Sequence, residues 1–290
     1  ETQERVQGSQ FAARLGANES VFGPSPRAME AMAAAQQWMY GDPESFDLRS
    51  ALAAHHSVTP EHIIVGEGID GLLGYLVRLM IAPGDPVITS EGAYPTFNYH
   101  VAGYGGILHK VPYLDDHEDV AALFKEASEK DAKLVYLANP DNPMGSWHTG
   151  EKIASALDML PQGCLLVLDE AYIECAPAEA APALNADDPR LIRMRTFSKA
   201  YGLAGARVGY AIGTPDLIAA FGKVDCGRDA AFAKAVLDGL VARGIFVRMP
   251  FAAPQNRCIR VSCGTPADLD AFAAALPDAL SDAKIGMTQA

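Results

Sequence analysis

The residues richest in chemistry lie in one run: Arg195-Thr196-Phe197-Ser198-Lys199-Ala200-Tyr201-Gly202-Leu203-Ala204-Gly205-Ala206-Arg207-Val208-Gly209. One lysine, Lys199, sits among small and apolar residues. Two hydroxyls, Thr196 and Ser198, precede it, and Arg207 follows. A protonated lysine is a weak nucleophile; desolvation or a nearby cation lowers its pKa and opens Schiff-base chemistry with a carbonyl. Hydroxyls and a planar guanidinium fork are the donors that a phosphate takes. A Ser-Lys pair alone reads as a solvent lysine in a turn, because most lysines are exposed. Groups elsewhere in the chain decide the matter.

Those groups follow apolar runs. Cys164-Leu165-Leu166-Val167-Leu168 has the near-continuous pattern of a strand covered on both faces, and it ends in Asp169-Glu170-Ala171-Tyr172. Carboxylates at the end of a buried strand are not there for packing. Leu134-Val135-Tyr136-Leu137-Ala138 runs into Asn139-Pro140-Asp141-Asn142-Pro143-Met144-Gly145. Ile63-Ile64-Val65 runs into Gly66-Glu67-Gly68-Ile69-Asp70-Gly71 and then an apolar helix, a turn that leaves backbone N–H groups free for an anion. One cofactor chemistry uses all of these parts. Asp169 can keep a ring nitrogen protonated, which makes the ring an electron sink. Tyr172 and Asn142 can hydrogen-bond a phenolate oxygen. The helix start at 68–70, with Thr196, Ser198 and Arg207, can hold a phosphate, and Lys199 can supply the amine and then move a proton. The cofactor that fits is pyridoxal phosphate. Phe97 can stack a flat ring on it, although most aromatics in that segment would be core. Asn18 is either a plain turn residue or a polar contact at the site.

The elements that position these residues alternate. Strands are expected at 63–65, 86–89, 105–112, 134–138, 164–168, 191–196 and 208–212, with helices between them, from about 26–36 to 215–223. That pattern means an α/β fold, with ligands beyond the carboxyl ends of the strands. From about 225 the pattern changes to helix 229–243, strand 245–248, strand 258–262 and helix 266–276, a smaller α+β domain. The expected division is an arm with part of the small domain over 1–38, a large cofactor domain over 39–224, and a small domain over 225–290.

The chain has 290 residues, 49% of them hydrophobic, enough for a large core. Its net charge of -13 argues against nucleic acid and anionic membrane as partners, and no apolar run approaches a membrane span. No signal-peptide pattern opens the chain. It begins at Glu1 without Met, so the native start is expected upstream. Five scattered cysteines, Cys164, Cys175, Cys226, Cys258 and Cys263, read as reduced core thiols of a cytoplasmic protein, with no metal-ligand spacing.

With these motifs in chain order, the sequence resembles the fold-type I pyridoxal-phosphate aminotransferases of class I/II, and within them the histidinol-phosphate aminotransferase group. The resemblance rests on Leu15-Gly16-Ala17-Asn18-Glu19, Tyr40, Gly66 to Asp70, Pro95-Thr96-Phe97, Asn139 to Gly145, Asp169 to Tyr172, Ser198-Lys199 to Gly209, and Arg260-Val261-Ser262. It implies a mixed, mostly parallel seven-stranded sheet sandwiched by helices, as in aspartate aminotransferase. It also implies a transaminase of histidine biosynthesis and amino-acid metabolism. Lys199 would be the Schiff-base lysine, Asp169 the pyridinium partner, Asn142 and Tyr172 the phenolate contacts, and Phe97 the stacking ring. Gly68, Ile69, Asp70, Thr196, Ser198 and Arg207 would hold the phosphate. Tyr40 would reach the cofactor of a second subunit, so a homodimer with shared sites is implied. Asn18, Arg248 and Arg260 would face the substrate; an arginine accepts either phosphate or carboxylate.

Some residues depart from the group. Phe97 stands where tyrosine is common, Ile69 where a small or hydroxyl residue is, and Met249-Pro250 where Asp often follows Arg248. The group carries several dozen more residues near Lys223-Val224-Asp225, so an interruption of the chain is expected there. Another amino-acid aminotransferase, or a decarboxylase or C–S lyase on the same cofactor, remains the alternative reading.

Overall fold

The computed structural model describes residues 16–36, 38–181, 185–225, 231–245, 271–279 and 281–282. The chain divides into two compact units, residues 1–224 and 225–290.

In the first unit the apolar runs become strands. They are β1 (Ile63–Gly66), β2 (Pro86–Ser90), β3 (Ile107–Val111), β4 (Leu134–Ala138), β5 (Leu165–Asp169), β6 (Leu191–Thr196) and β7 (Gly209–Ile212). Every residue of β4 and β5 is buried, as two-faced cover requires. The strands form one sheet in the order β1-β7-β6-β5-β4-β2-β3. All neighbours are parallel except β7, which runs antiparallel to both β6 and β1. The expected mixed, mostly parallel seven-stranded sheet is therefore present.

Period-two alternation sends successive side chains to opposite faces. Leu134, Tyr136, Leu165, Val167, Ile192 and Met194 share one core with α3 (Gly68–Met80) and α4 (Pro95–Gly103). Val135, Leu137, Leu166, Leu168 and Leu191 share the other with α5 (Val120–Lys130) and α6 (Gly150–Ala156). Leu52 and Ala53 of α2 (Phe46–His56) pack on Ile63 and Tyr210. Each fully buried Leu, Ile or Val contributes about 1.5–3 kcal/mol.

Helix starts follow local chemistry. Ser25 caps α1 (Pro26–Ala34), Asp119 caps α5 and Thr149 caps α6, each through its side-chain oxygen. Helix α3 differs: Glu67 at its N-cap makes no side-chain cap bond. Helix α7 spans Pro215–Asp225.

In the second unit, α8 (Ala231–Val241) and residues 271–279 are helical, and Leu240 packs on Ala279. The expected strand 258–262 lies outside the described residues, as does 245–248 beyond Ile245. Of the cysteines, Cys164 is buried and Cys175 is exposed, so Cys175 is not the core thiol expected. Cys226, Cys258 and Cys263 lie outside the described residues.

Candidate active site

The register brings the ends of several strands to one edge. Ala138 lies opposite Asp169, Thr196 opposite Gly209, and Gly66 opposite Gly209. Because β7 is antiparallel, its first residue reaches the edge where its neighbours end. Between these ends lies a cavity of about 140 Å³. Asp169, Asn142, Tyr172, Lys199, Thr196, Ser198, Arg207, Ile69 and Asp70 all line it.

Asp169 forms its charged wall. The carboxylate accepts a hydrogen bond from the Tyr136 hydroxyl at 2.6 Å and another from the Ala171 backbone N–H at 3.0 Å. Burial pushes its pKa up to about 6, against these two bonds, with Asp70 and Glu170 adding repulsion. A cation placed against it would favour the ionised form. Glu170, next in sequence, points to the opposite face, where it is fully buried between Arg193 and Arg195. The two adjacent acids thus have different tasks, and Glu170 serves the scaffold.

The amine and phenol come from the loops after β6 and β5. Lys199 Nζ stands 5.4 Å from the centre of the Tyr172 ring. Asn18 Nδ2 donates to the Tyr172 hydroxyl at 3.0 Å, which leaves the phenol's own proton to donate onward. Asn18 has a φ of 54°, a backbone setting that asparagine tolerates better than most residues. Asn142, Tyr172 and Lys199 also line a wider cleft of about 810 Å³, which Asn18, Phe22 and Trp147 share. That cleft is the approach to the amine.

The far end is built for an anion. The uncapped start of α3 leaves its first backbone N–H groups without a side-chain acceptor. Gly68 has a φ of +81°, and a Cβ there would lie 2.6 Å from Arg207 Nη2. A Cβ on Gly209 would meet the backbone of Gly68 and Ile69 within 2.9 Å. The two glycines therefore let helix start, strand and guanidinium close on one another. Arg207 holds a φ of 53° and sends Nη1 to the Ala204 carbonyl at 3.2 Å and toward Ser198 Oγ at 3.4 Å. Nη2 reaches the Glu67 carbonyl at 3.4 Å. Thr196 Oγ1 donates to Ser198 Oγ at 3.0 Å and accepts from the Ser198 N–H at 3.1 Å. A helix N-terminus, two hydroxyls and an arginine converge, as a phosphate requires. With an amine, a buried acid, an amide and a phenol beside them, the donor set fits pyridoxal phosphate.

Not every expected residue reaches the cavity. Phe97 does not line the cavity; it stacks on Tyr136, which does, with ring centres 4.7 Å apart. Its place on α4 turns it inward, and the cavity-lining aromatics besides Tyr172 are Tyr94 and Tyr136. Tyr40 is 86% exposed and does not line this cavity. Arg248 and Arg260 lie outside the described residues. Tyr136 was hidden in an apolar run; the one signal was a lone hydroxyl within it.

The family profile for aminotransferase class I and II matches residues 13–227. The chain is similar to a histidinol-phosphate aminotransferase of Anaeromyxobacter sp. (strain Fw109-5), 39% identical over 221 residues, covering 74% of this chain and 60% of that protein. A histidinol-phosphate aminotransferase of Staphylococcus haemolyticus (strain JCSC1435) is 36% identical over 210 residues, 71% of this chain and 60% of that protein. Among solved structures, histidinol-phosphate aminotransferase from Sinorhizobium meliloti in complex with pyridoxal-5'-phosphate is similar at a TM-score of 0.72 and 45% identity, covering 96% of this chain and 93% of that one. The chain spans about 60% of the length of the curated relatives it matches. On the match to residues 13–227 and on these identities, the chain belongs to the aminotransferase class I and II family.

Proposed function

We propose that this chain is a pyridoxal-phosphate-dependent transaminase of the histidinol-phosphate type, exchanging an amino group between histidinol phosphate and 2-oxoglutarate. The observation that carries it is the convergence of Lys199, Asp169 and the Arg207–Ser198–Thr196 cradle on one cavity. The similar proteins bear that name. The bound cofactor would supply an aldehyde and an electron-accepting ring. Arg207, Ser198, Thr196 and the first N–H groups of α3 would hold its phosphate. Asp169 would keep the ring nitrogen protonated, and that cation would in turn favour the Asp169 carboxylate. Asn142 and the Tyr172 hydroxyl would hold the ring oxygen. Lys199 Nζ would bond the aldehyde carbon, then, once released, take the proton from the substrate carbon and return it.

Arg248 and Arg260, with Asn18, are proposed to face the substrate; Asn18 acts by orienting the Tyr172 hydroxyl. A second copy of the chain is the proposed partner. Val21, Phe22, Trp38, Met39, Tyr40 and Phe46 are exposed within one short segment, and α1 buries no residue. Isolated helices this short are marginal in water, so a covering partner accounts for the segment. Tyr40 would then meet the partner's site. No helix among the described residues is long and apolar enough to cross a membrane, and a cytoplasmic site of action belongs to the same reading.

The test is to mix the purified chain with pyridoxal phosphate, reduce with borohydride and map the label. Label on the Lys199 peptide, absent in Lys199→Ala, is expected. So is glutamate-dependent amination of imidazole acetol phosphate. Label elsewhere, or no amino transfer from glutamate to any acceptor tried, overturns the reading.

A further inference from the structure

Strands β2 and β4 pair only through Val87–Leu134 and Ile88–Val135, whereas β4 and β5 pair along all five residues. The first two strands therefore part toward the edge that carries the site. Into that gap comes Glu118, from the turn before α5, with only 2% of its surface exposed. Its Oε1 accepts from the Ala138 N–H at 2.9 Å, and its Oε2 accepts from the Ser90 hydroxyl. The carboxyl thus takes the place of the strand neighbour that β2 no longer supplies.

The same residue ties down the loop beyond β4. The Glu118 carbonyl accepts from His148 Nε2 at 2.7 Å. His148 is locked to the Asn139 side chain through its N–H at 2.7 Å and its carbonyl at 3.0 Å. Asp141 lies close enough to Glu118 for their charges to act on one another. Tyr113 donates to Asp141 Oδ2 at 3.0 Å, but Oδ1 is buried and finds no donor among the described residues. Two buried carboxyls side by side are stable only when one keeps its proton. Burial pushes Glu118 up to about 8, which favours its protonated form beside Asp141.

We propose that Glu118 is a positioning residue, whose carboxyl between the ends of β2 and β4 and against Asp141 fixes the Asn139–Gly145 loop and so sets where Asn142 meets the site. The assignment rests on the reading of Asn142 given above. It concerns how the amide is held; the amide's own contact is unchanged.

Amide hydrogen exchange on the cofactor-free chain tests it without any reaction. Glu118→Ala is expected to speed exchange over 138–145 by about tenfold or more, with the centre of β5 unchanged. Glu118→Gln, which keeps an acceptor for Ala138 and a donor for Asp141, is expected to stay within about threefold of the parent. With pyridoxal phosphate added, Glu118→Ala is expected to move the pH midpoint of the bound cofactor's visible band in the direction that Asn142→Ala moves it. The double variant is expected to move it no further than Asn142→Ala alone. Parent-like loop exchange in Glu118→Ala, equal acceleration through β5, or additive shifts in the double variant would overturn the proposal. If Glu118→Ala fails to fold, Glu118→Asp, shorter by one methylene, carries the same readings. If no cofactor binds, the functional reading fails, while loop exchange still decides the role of Glu118.

Discussion

The Tyr136 hydroxyl donates a hydrogen bond to Asp169 at 2.6 Å, from two register pairs deeper on the neighbouring strand. The acid that faces the cavity is thus braced from below by a fully buried phenol, whose ring is in turn stacked on Phe97.

Tyr136→Phe removes that brace and keeps the stack. Asp169, already raised to about 6 by burial, should rise further and be a poorer partner for a ring cation. Affinity for pyridoxal phosphate is expected to fall by about five- to tenfold, the value of one such bond. An absorbance titration measures it; unchanged affinity would mean that the Ala171 N–H alone suffices.

Gly209→Ala places a Cβ within 2.9 Å of the Gly68 and Ile69 backbone, which cannot swing aside as a side chain can. A stability loss of about 1–3 kcal/mol is expected, together with weaker phosphate retention. Gly205→Ala, with nothing within 4 Å, is the control and should melt as the parent does. Equal melting of the two variants would refute the close approach.

Glu170→Gln leaves Arg193 and Arg195, both largely buried, without their shared counter-ion. Removing one partner from a buried ion pair costs about 3–5 kcal/mol. Urea unfolding of the variant measures it. A loss under about 1 kcal/mol would show the cluster to be hydrated.

Through Glu118 and Asp169 stability should fall as pH rises, while His56, held down to about 4 by burial, acts the other way between there and its ordinary 6.5. Burial holds Glu118 at about 8 against an ordinary 4.5, and Asp169 at about 6 against 3.8. The charged neighbours that act on Glu118, Asp141 and Asp169, are themselves acidic. Both folded-state values lie above the unfolded ones, so the folded cofactor-free chain binds more protons. The stabilisation is complete below the ordinary carboxylate range and is lost as pH climbs through 6 and then 8. Glu118→Gln should flatten the upper part of this slope and exceed the parent by about 1–3 kcal/mol near pH 8. Urea midpoints across pH settle it; parallel slopes would contradict the assignment.

Much of the fold is legible in the residues. Two-faced strands announce themselves by unbroken apolar runs, and their ends by polar residues, so the residue pattern alone puts Asp169, Asn142 and Thr196 at one edge. What stays hidden depends on which way a side chain turns. Phe97 sits at the third position of a helix whose rotation no local pattern reveals. Tyr136 belongs to a run in which every residue is buried, so alternation of faces leaves no trace in hydropathy. Glu118 lies in Asp115-Asp116-His117-Glu118-Asp119, which reads as a solvated charge run. Only the parting of β2 from β4, a long-range event, takes its carboxyl out of water. Arg193 and Arg195 are likewise explained only once Glu170 is seen between them.

The antiparallel insertion of β7 has a consequence for synthesis. Strand β1 leaves the ribosome early, yet its backbone partner is β7, at residues 209–212. Until that late segment emerges, β1 and β6 both present open edges, and the close approach of Gly209 to the start of α3 does not exist. On the proposed reading, a nascent chain gains a cradle for the cofactor's phosphate only after β7, the last strand of this sheet among the described residues, is in place.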